Sequence, residues 1–211
     1  MWDWQIITGI FGDEKDFTLS TGEVITVQIY GFNHDNLISG TGKAGITFGT
    51  KYLMNAMQYM QDPTIYNYGA FYHYGSTTLR SYVSSTVLNQ MPENLRNKIK
   101  CVSKTSFKHL ESYSESVSKP ITNEYVFLFS QEEIYGLSRI TETEGGSQYQ
   151  YFKNGGSPYK SFRTGGGTDY WTRSACIPYA ETGYYIATSD TSYGWWKNIH
   201  SMYAVAFGFC I

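Results

Sequence analysis

From Tyr203 to Ile211 the chain alternates large side chains with small ones. Strand side chains point to alternate faces. Tyr203, Val205, Phe207, Phe209 and Ile211 therefore share one face, and Ala204, Ala206, Gly208 and Cys210 the other. Bulk on one face and small uncharged residues on the other predict a strand covered on both sides. Such a strand would hold the end of the chain in the core. Earlier, Phe17 to Leu19, the turn signal Ser20 to Glu23 and the alternating run Val24 to Tyr30 predict a β-hairpin, with Ile25, Val27 and Ile29 on one face. Further strands are expected at Ile46 to Phe48, Tyr125 to Phe129 and Tyr170 to Ser174. Leu79, Val83 and Val87 recur at i, i+4 and i+8 and predict a helix that Ser76 can cap. Pro92 can open a second helix, with Leu95, Ile99 and Val102 on one face and Arg96, Lys98 and Lys100 on the others. Ser130 and Glu133 have capping-box spacing for a third, which Gly136 ends.

Two polar stretches interrupt these elements. Phe107 to Asn123 is Ser-rich and reads as an exposed loop. Gly145 to Thr168 is long for a loop in a compact domain, which marks it as functional or mobile. Neither resembles a linker. A single domain over 1–211 is expected: a hairpin and glycine loop in 1–50, a helical middle in 51–104, and a C-terminal sheet with display loops in 125–211.

Two aromatic-rich segments lack a clear period. One, Tyr179 to Met202, lies between two strands and holds Tyr184, Tyr185, Tyr193, Trp195, Trp196, Asn198 and His200. The other, Tyr66 to Tyr74, holds Tyr68, Tyr72 and Tyr74. The chain has 20 Tyr, 12 Phe and 5 Trp. Tyr and Trp give rigid contact area at low entropic cost, which suits binding surfaces. The same rings could equally pack inward.

Charge narrows the choice. A net charge of -2, with acids and bases mixed along 211 residues, offers no basic face for nucleic acid. No apolar run approaches the ~20 residues of a membrane span. Met1 to Trp4 has no basic or apolar leader, so no signal peptide is expected. Three cysteines, Cys101, Cys176 and Cys210, do not make a disulfide scaffold.

Gly40, Gly42 and Gly45 have dinucleotide-loop spacing, but Ile46-Thr47-Phe48 reads as a strand where that motif needs a helix. Asn33 and Asp35 start like a calcium loop whose later glycine and glutamate are missing. His34, His73, His109 and His200 come without a nucleophile elbow or a zinc-ligand spacing. No catalytic residue, cofactor or metal is expected.

The chain resembles a domain-of-unknown-function family found on surface and tail-associated proteins of gut bacteria and their phages. The matching segments begin with Gly12 to Lys15, Val27 to Asp35 and Gly42 to Phe48. They continue through Ser76 with Leu79-Arg80, Pro92 to Lys104, Phe127 to Gly136, Glu144 to Phe152, Trp171 to Ser174 and Gly208 to Ile211. The layout Trp171-Thr172-Arg173-Ser174 followed by Gly208-Phe209 also resembles a C-type-lectin-like fold. The branch concerned is the one shared by formylglycine-generating enzymes and the variable proteins of diversity-generating retroelements. That resemblance implies an α+β domain with a twisted antiparallel sheet, two or three helices and long loops. Calcium-dependent lectin motifs are missing, Trp196-Lys197-Asn198 being the nearest approach. Lectin-like shape therefore does not imply calcium-dependent sugar binding.

The resemblance implies a non-enzymatic recognition module of a virion or bacterial cell surface. Its partner would be a cell-surface glycan or protein, with no nucleic acid and no membrane insertion. A homo-oligomeric place in a larger fibre or particle stays open. The expected ligand-binding residues are Tyr184, Tyr185, Tyr193, Trp195, Trp196, Asn198, His200, Tyr68, Tyr72 and Tyr74. Trp195 and Trp196 fall outside the residues that retroelement codons encode, so they are expected as a constant platform or core anchor, with the neighbouring tyrosines setting specificity. Arg173 shares a strand face with Trp171 and is expected to be structural. Two alternatives remain: a capsid or tail assembly domain, and an enzyme of the formylglycine-generating type, which would need Cys176 and Cys210 together in an accessible pocket.

Overall fold

The computed structural model describes residues 9–65, 73–108, 118–136, 143–176, 183–187 and 195–211. Its strands are β1 (Glu14–Thr18), β2 (Val24–Phe32), β3 (Ile46–Thr50), β4 (Gln58–Tyr59), β5 (Val102–Thr105) and β6 (Ile121–Glu124). They continue as β7 (Val126–Phe127), β8 (Tyr170–Ala175), β9 (Gly183–Ala187), β10 (Trp196–Asn198), β11 (Met202–Tyr203) and β12 (Gly208–Cys210). The helices are short: α1 (Thr78–Ser81), α2 (Leu88–Gln90), α3 (Glu93–Arg96), α4 (Gln131–Tyr135) and α5 (Gln150–Lys153), with a π-helical stretch, Tyr82–Val87, joining α1 to α2. The result is a mixed α/β architecture whose strand pairs are mostly antiparallel.

The predicted hairpin is β1 with β2, Phe17 lying opposite Ile25. Its turn closes through Leu19 N to Glu23 O and Gly22 N to Leu19 O, both 2.9 Å. Gly22 sits at φ +90°, a conformation that suits glycine. A five-stranded sheet follows, ordered β1-β2-β3-β12-β7. β12 is interior, with Phe209 between Phe48 and Val126.

The large-and-small alternation of residues 203–211 becomes two cores. Val205, Phe207 and Phe209 join Ile25, Val27, Ile29 and Phe48 in one cluster. Ala204, Ala206 and Cys210 join Tyr30, Phe127, Phe129, Tyr149 and Phe152 in the other. Gly49 and Gly208 face each other in the ladder. A Cβ on Gly49 would lie 2.2 Å from Tyr30 Cε2, and one on Gly208 2.5 Å from Phe129 Cζ. Both glycines clear space for rings of the second cluster.

The stretch is not one strand, however. Met202 and Tyr203 pair with β4. Ala204 O accepts from Trp171 N, Val205 O from Met54 N and Phe207 O from Thr50 N, at 2.9–3.1 Å. Only Gly208–Cys210 enters the five-stranded ladder. The segment changes partner every residue or two and acts as a seam between sheets.

Other boundaries also moved. The cap of α1 is Thr77, whose hydroxyl accepts from Arg80 N at 3.1 Å. Ser76 lies in a 3₁₀ turn and donates to His73 O. Leu79, Val83 and Val87 are buried as their spacing required. The helix after Pro92 lasts one turn. Val102 starts β5 instead, because Lys100 N has already bonded Cys210 O at 2.8 Å. The expected loop from 107 to 123 runs at its end into β6, which pairs with β5. The capping box of α4 formed between Ser130 and Glu133, and Gly136 ends the helix at φ +76°.

Candidate functional site

Strands β10, β9 and β8 form a second sheet in that order. Trp196 lies opposite Tyr185, Lys197 opposite Tyr184, and Asn198 opposite Gly183. Trp195 is 67% exposed and Trp196 41%. A Cβ on Gly183 would come within 3.0 Å of Trp196 Cε3, so glycine there lets the indole lie close to the sheet. Asn198 and His200 are exposed. Asn198 Oδ1 accepts from His200 N at 2.9 Å and Asn198 O from Ser201 N at 2.9 Å, making a tight turn. The His200 ring reaches Gln61 O at 3.1 Å. Four of the expected binding residues thus stand on one short surface segment.

Two others do not. Tyr184 and Tyr74 are fully buried, and a ring in the core cannot meet a ligand. Tyr184 shares the inward face of β9 with Ile186, two residues on, and both join the main cluster. Tyr74 belongs to the turn before α1 and packs into the same cluster. For Tyr185 only the backbone position in β9 is described. Tyr193, Tyr68 and Tyr72 lie outside the described residues.

A second constellation sits inside the molecule. The chain leaves β2 through Asn33 at φ +46° and turns Asp35 inward. Lys104 comes from β5, Glu133 from the first turn of α4, Arg173 from β8 and Tyr149 from the residue before α5. Lys104 Nζ lies 2.5 Å from Asp35 Oδ1, 2.9 Å from Glu133 Oε1 and 2.7 Å from the Tyr149 hydroxyl. It also sits 3.9 Å from the centre of the Phe127 ring. Arg173 grips Glu133 with both terminal nitrogens, at 2.5 and 2.8 Å. It also donates to Thr105 O at 3.0 Å and Leu128 O at 2.8 Å. Asp35 further accepts from Thr47 Oγ1 at 2.5 Å and from the Tyr149 hydroxyl at 3.0 Å. Exposure is 5% for Asp35, 3% for Lys104, 2% for Glu133 and 1% for Arg173.

Two cations and two anions thus alternate in a chain across three elements and the turn after β2. Burial opposes every one of these charges, and the partners overcome it. Burial would raise the Asp35 carboxyl, but Lys104 pulls it below its usual range. Burial would raise Glu133 too; Arg173 and then Lys104 drive it far below. Burial would lower the Lys104 ammonium, yet Asp35 and Glu133 keep it raised.

Next to this chain, Glu144 bonds the Ser174 hydroxyl. Burial lifts Glu144 to about 7, with Arg173 only partly opposing. Elsewhere Lys160 is buried against neutral oxygens: the Tyr30 hydroxyl at 2.6 Å, and Thr50 O. Desolvation lowers it to about 7.

Reasoning from the sequence missed most of this network. Arg173 was found from its strand and its neighbour Trp171. Lys104 carried a usable signal, since it shares a strand face with the apolar Val102. Asp35 was weighed as a calcium ligand, but its oxygens are spent on Lys104, Thr47 and Tyr149. None of the three cysteines is in a disulfide, and Cys176 and Cys210 are both buried. Cys210 Sγ lies 3.4 Å from Asp35 Oδ2.

The family model described as "Domain of unknown function (DUF6273)" matches residues 50–211. The chain belongs to the DUF6273 family. The DUF6273 match takes in Lys104, Glu133, Tyr149, Arg173, Trp195 and Trp196. Asp35 and Thr47 fall before it, as do the resembling segments from Gly12 to Phe48. The DUF6273 region is therefore bonded at its centre to residues outside the match. No curated protein and no solved structure matches the chain.

Proposed function

We propose that this chain is a non-enzymatic recognition module of a phage particle or bacterial surface protein, with a C-type-lectin-like fold. It binds a cell-surface glycan or protein through Trp195 and Trp196, with Asn198 and His200 alongside. The observation that carries this reading is the exposure of two adjacent tryptophans where the chain enters β10, beside the buried β9. Tryptophan is the ring most often found at binding hot spots, and its flat face stacks on sugars as readily as on protein. Asn198 and His200 add polar groups in a fixed turn. Asp35, Lys104, Glu133 and Arg173 are paired with one another in the interior, and Cys176 and Cys210 are both buried.

The test is binding of purified protein to a glycan array and to intact bacterial cells. Trp195→Ala and Trp196→Ala should each weaken binding by ~10-fold or more, while stability changes by only ~0.5 kcal/mol. Tyr184→Ala should do the opposite and destabilise by ~3–5 kcal/mol, as for other large buried rings. Equal binding by wild type and both tryptophan variants, on every target that binds at all, would rule the surface out.

A further inference from the structure

Inside the charged network, one contact goes beyond ion pairing. Lys104 Nζ and Asp35 Oδ1 are 2.5 Å apart. Contact with a carboxyl oxygen brings an amine within reach of its carbon, near-attack geometries having reacting atoms about 3–3.5 Å apart. Thr47 and Tyr149 both donate hydroxyl protons to Asp35. They stand where negative charge would gather if the carboxyl carbon were attacked. Glu133 Oε1, 2.9 Å from the same amine, is placed to take its proton. Phe127 and the second cluster exclude water around them.

The charge balance points the same way. Arg173 holds both oxygens of Glu133, so the four charges divide into two neutral pairs. Removing the Asp35–Lys104 pair would leave Glu133 still neutralised by Arg173. Burying that first pair carries a desolvation penalty for both ions. A neutral amide in its place carries none for charge.

We propose that Lys104 and Asp35 condense to an intramolecular isopeptide bond, with Glu133 relaying the proton. The Lys104 ammonium gives one proton to the Asp35 oxygen it touches, leaving a neutral amine against a neutral carboxyl. The freed lone pair on Nζ then forms a bond to Asp35 Cγ, and the carbonyl electrons move onto an oxygen facing Thr47 and Tyr149. A second proton from Nζ passes through Glu133 to the departing hydroxyl. The C–O bond breaks and water leaves. Ammonium plus carboxylate gives amide plus water, so charge and atoms balance with no oxidant. The bond ties the turn after β2 to β5 and closes a loop through residues 35–104. It constrains the unfolded chain as a disulfide does, without using a cysteine. This inference does not depend on the recognition surface.

The decisive measurement is the intact mass of the wild-type chain, denatured after incubation in the folded state at neutral pH. The expected mass is that of the sequence less one water. Trypsin should release a branched peptide joining the Asp35 segment to the Lys104 segment, uncut after Lys104. Lys104→Arg should keep the full sequence mass. A wild-type chain of full sequence mass overturns the proposal. So does a water loss that persists in Lys104→Arg, which would mark a succinimide at Asp35-Asn36 instead.

Discussion

At the residue scale, Arg173 carries more contacts across elements than its place in one strand suggests. Its fork ties β8 to α4 through Glu133, to β5 through Thr105 and to the end of β7 through Leu128. A lysine keeps the charge but not the planar set of five donors. Arg173→Lys should therefore cost about 2–3 kcal/mol of stability, as expected for charged hydrogen bonds lost in the interior. Chemical denaturation would measure it; an unchanged midpoint would show that the fork is dispensable.

Glu144 and Lys160 bear on pH at the same scale. Folded Glu144 keeps its proton to about 7, whereas an ordinary glutamate loses it near 4.5. Between those values the folded state binds more protons, so its contribution falls as pH rises. Folded Lys160 loses its proton at about 7, against an ordinary 10.5. Across that upper window the unfolded state binds more protons, and stability rises with pH. Each limb has a limiting slope of about 1.4 kcal/mol per pH unit. Denaturation midpoints across pH should show a minimum near neutrality from this pair. Glu144→Gln should flatten the falling limb and Lys160→Met the rising one. A profile unchanged by both variants contradicts these assignments.

At the element scale, legibility followed periodicity. The hairpin β1-β2, the buried stripe Leu79-Val83-Val87 and the capping box of α4 could all be read, because each repeats at its own period or carries its own hydrogen-bond chemistry. The short elements could not. Val102 fitted the helical stripe after Pro92, but sheet pairing took it into β5. Trp195 and Trp196, expected from their setting as a platform or core anchor, are exposed. Tyr184 was misread because Tyr184 and Ile186 make only one repeat of a strand pattern inside an aromatic stretch. The ion network is the extreme case. Its members are separated by up to 138 positions along the chain and meet only once the sheets are assembled. What can be predicted at this scale concerns β12, which lies between two partners. Hydrogen exchange should place the amides from Val205 to Phe209 among the slowest. Exchange there as fast as at exposed Ile121 in β6 would remove β12 from the core of stability.

At the scale of the whole molecule, two hydrophobic clusters share one sheet, and the segment 203–211 contributes to both. The DUF6273 match begins inside β3, yet β3 is closed on one side by β2, which lies wholly before the match. The family region and the preceding hairpin thus share strands, rings and buried charges. A fragment cut at residue 50 would lose β1, β2 and all of β3 but Thr50, expose the edge of β12 that β3 covers, and strand Lys104 without Asp35.

The position of β12 also governs how the molecule can be made. Its partners are β3 and β7, so Phe209 must find Phe48 across most of the polypeptide. Pairings this distant in sequence fold slowly. On the ribosome, β3 and β7 emerge long before residue 208 does. Until then each has an open backbone edge and uncovered aromatic rings, the features that invite intermolecular pairing. The nascent chain therefore depends on holding its N-terminal hairpin and β7 apart from other chains until the seam arrives to close the sheet.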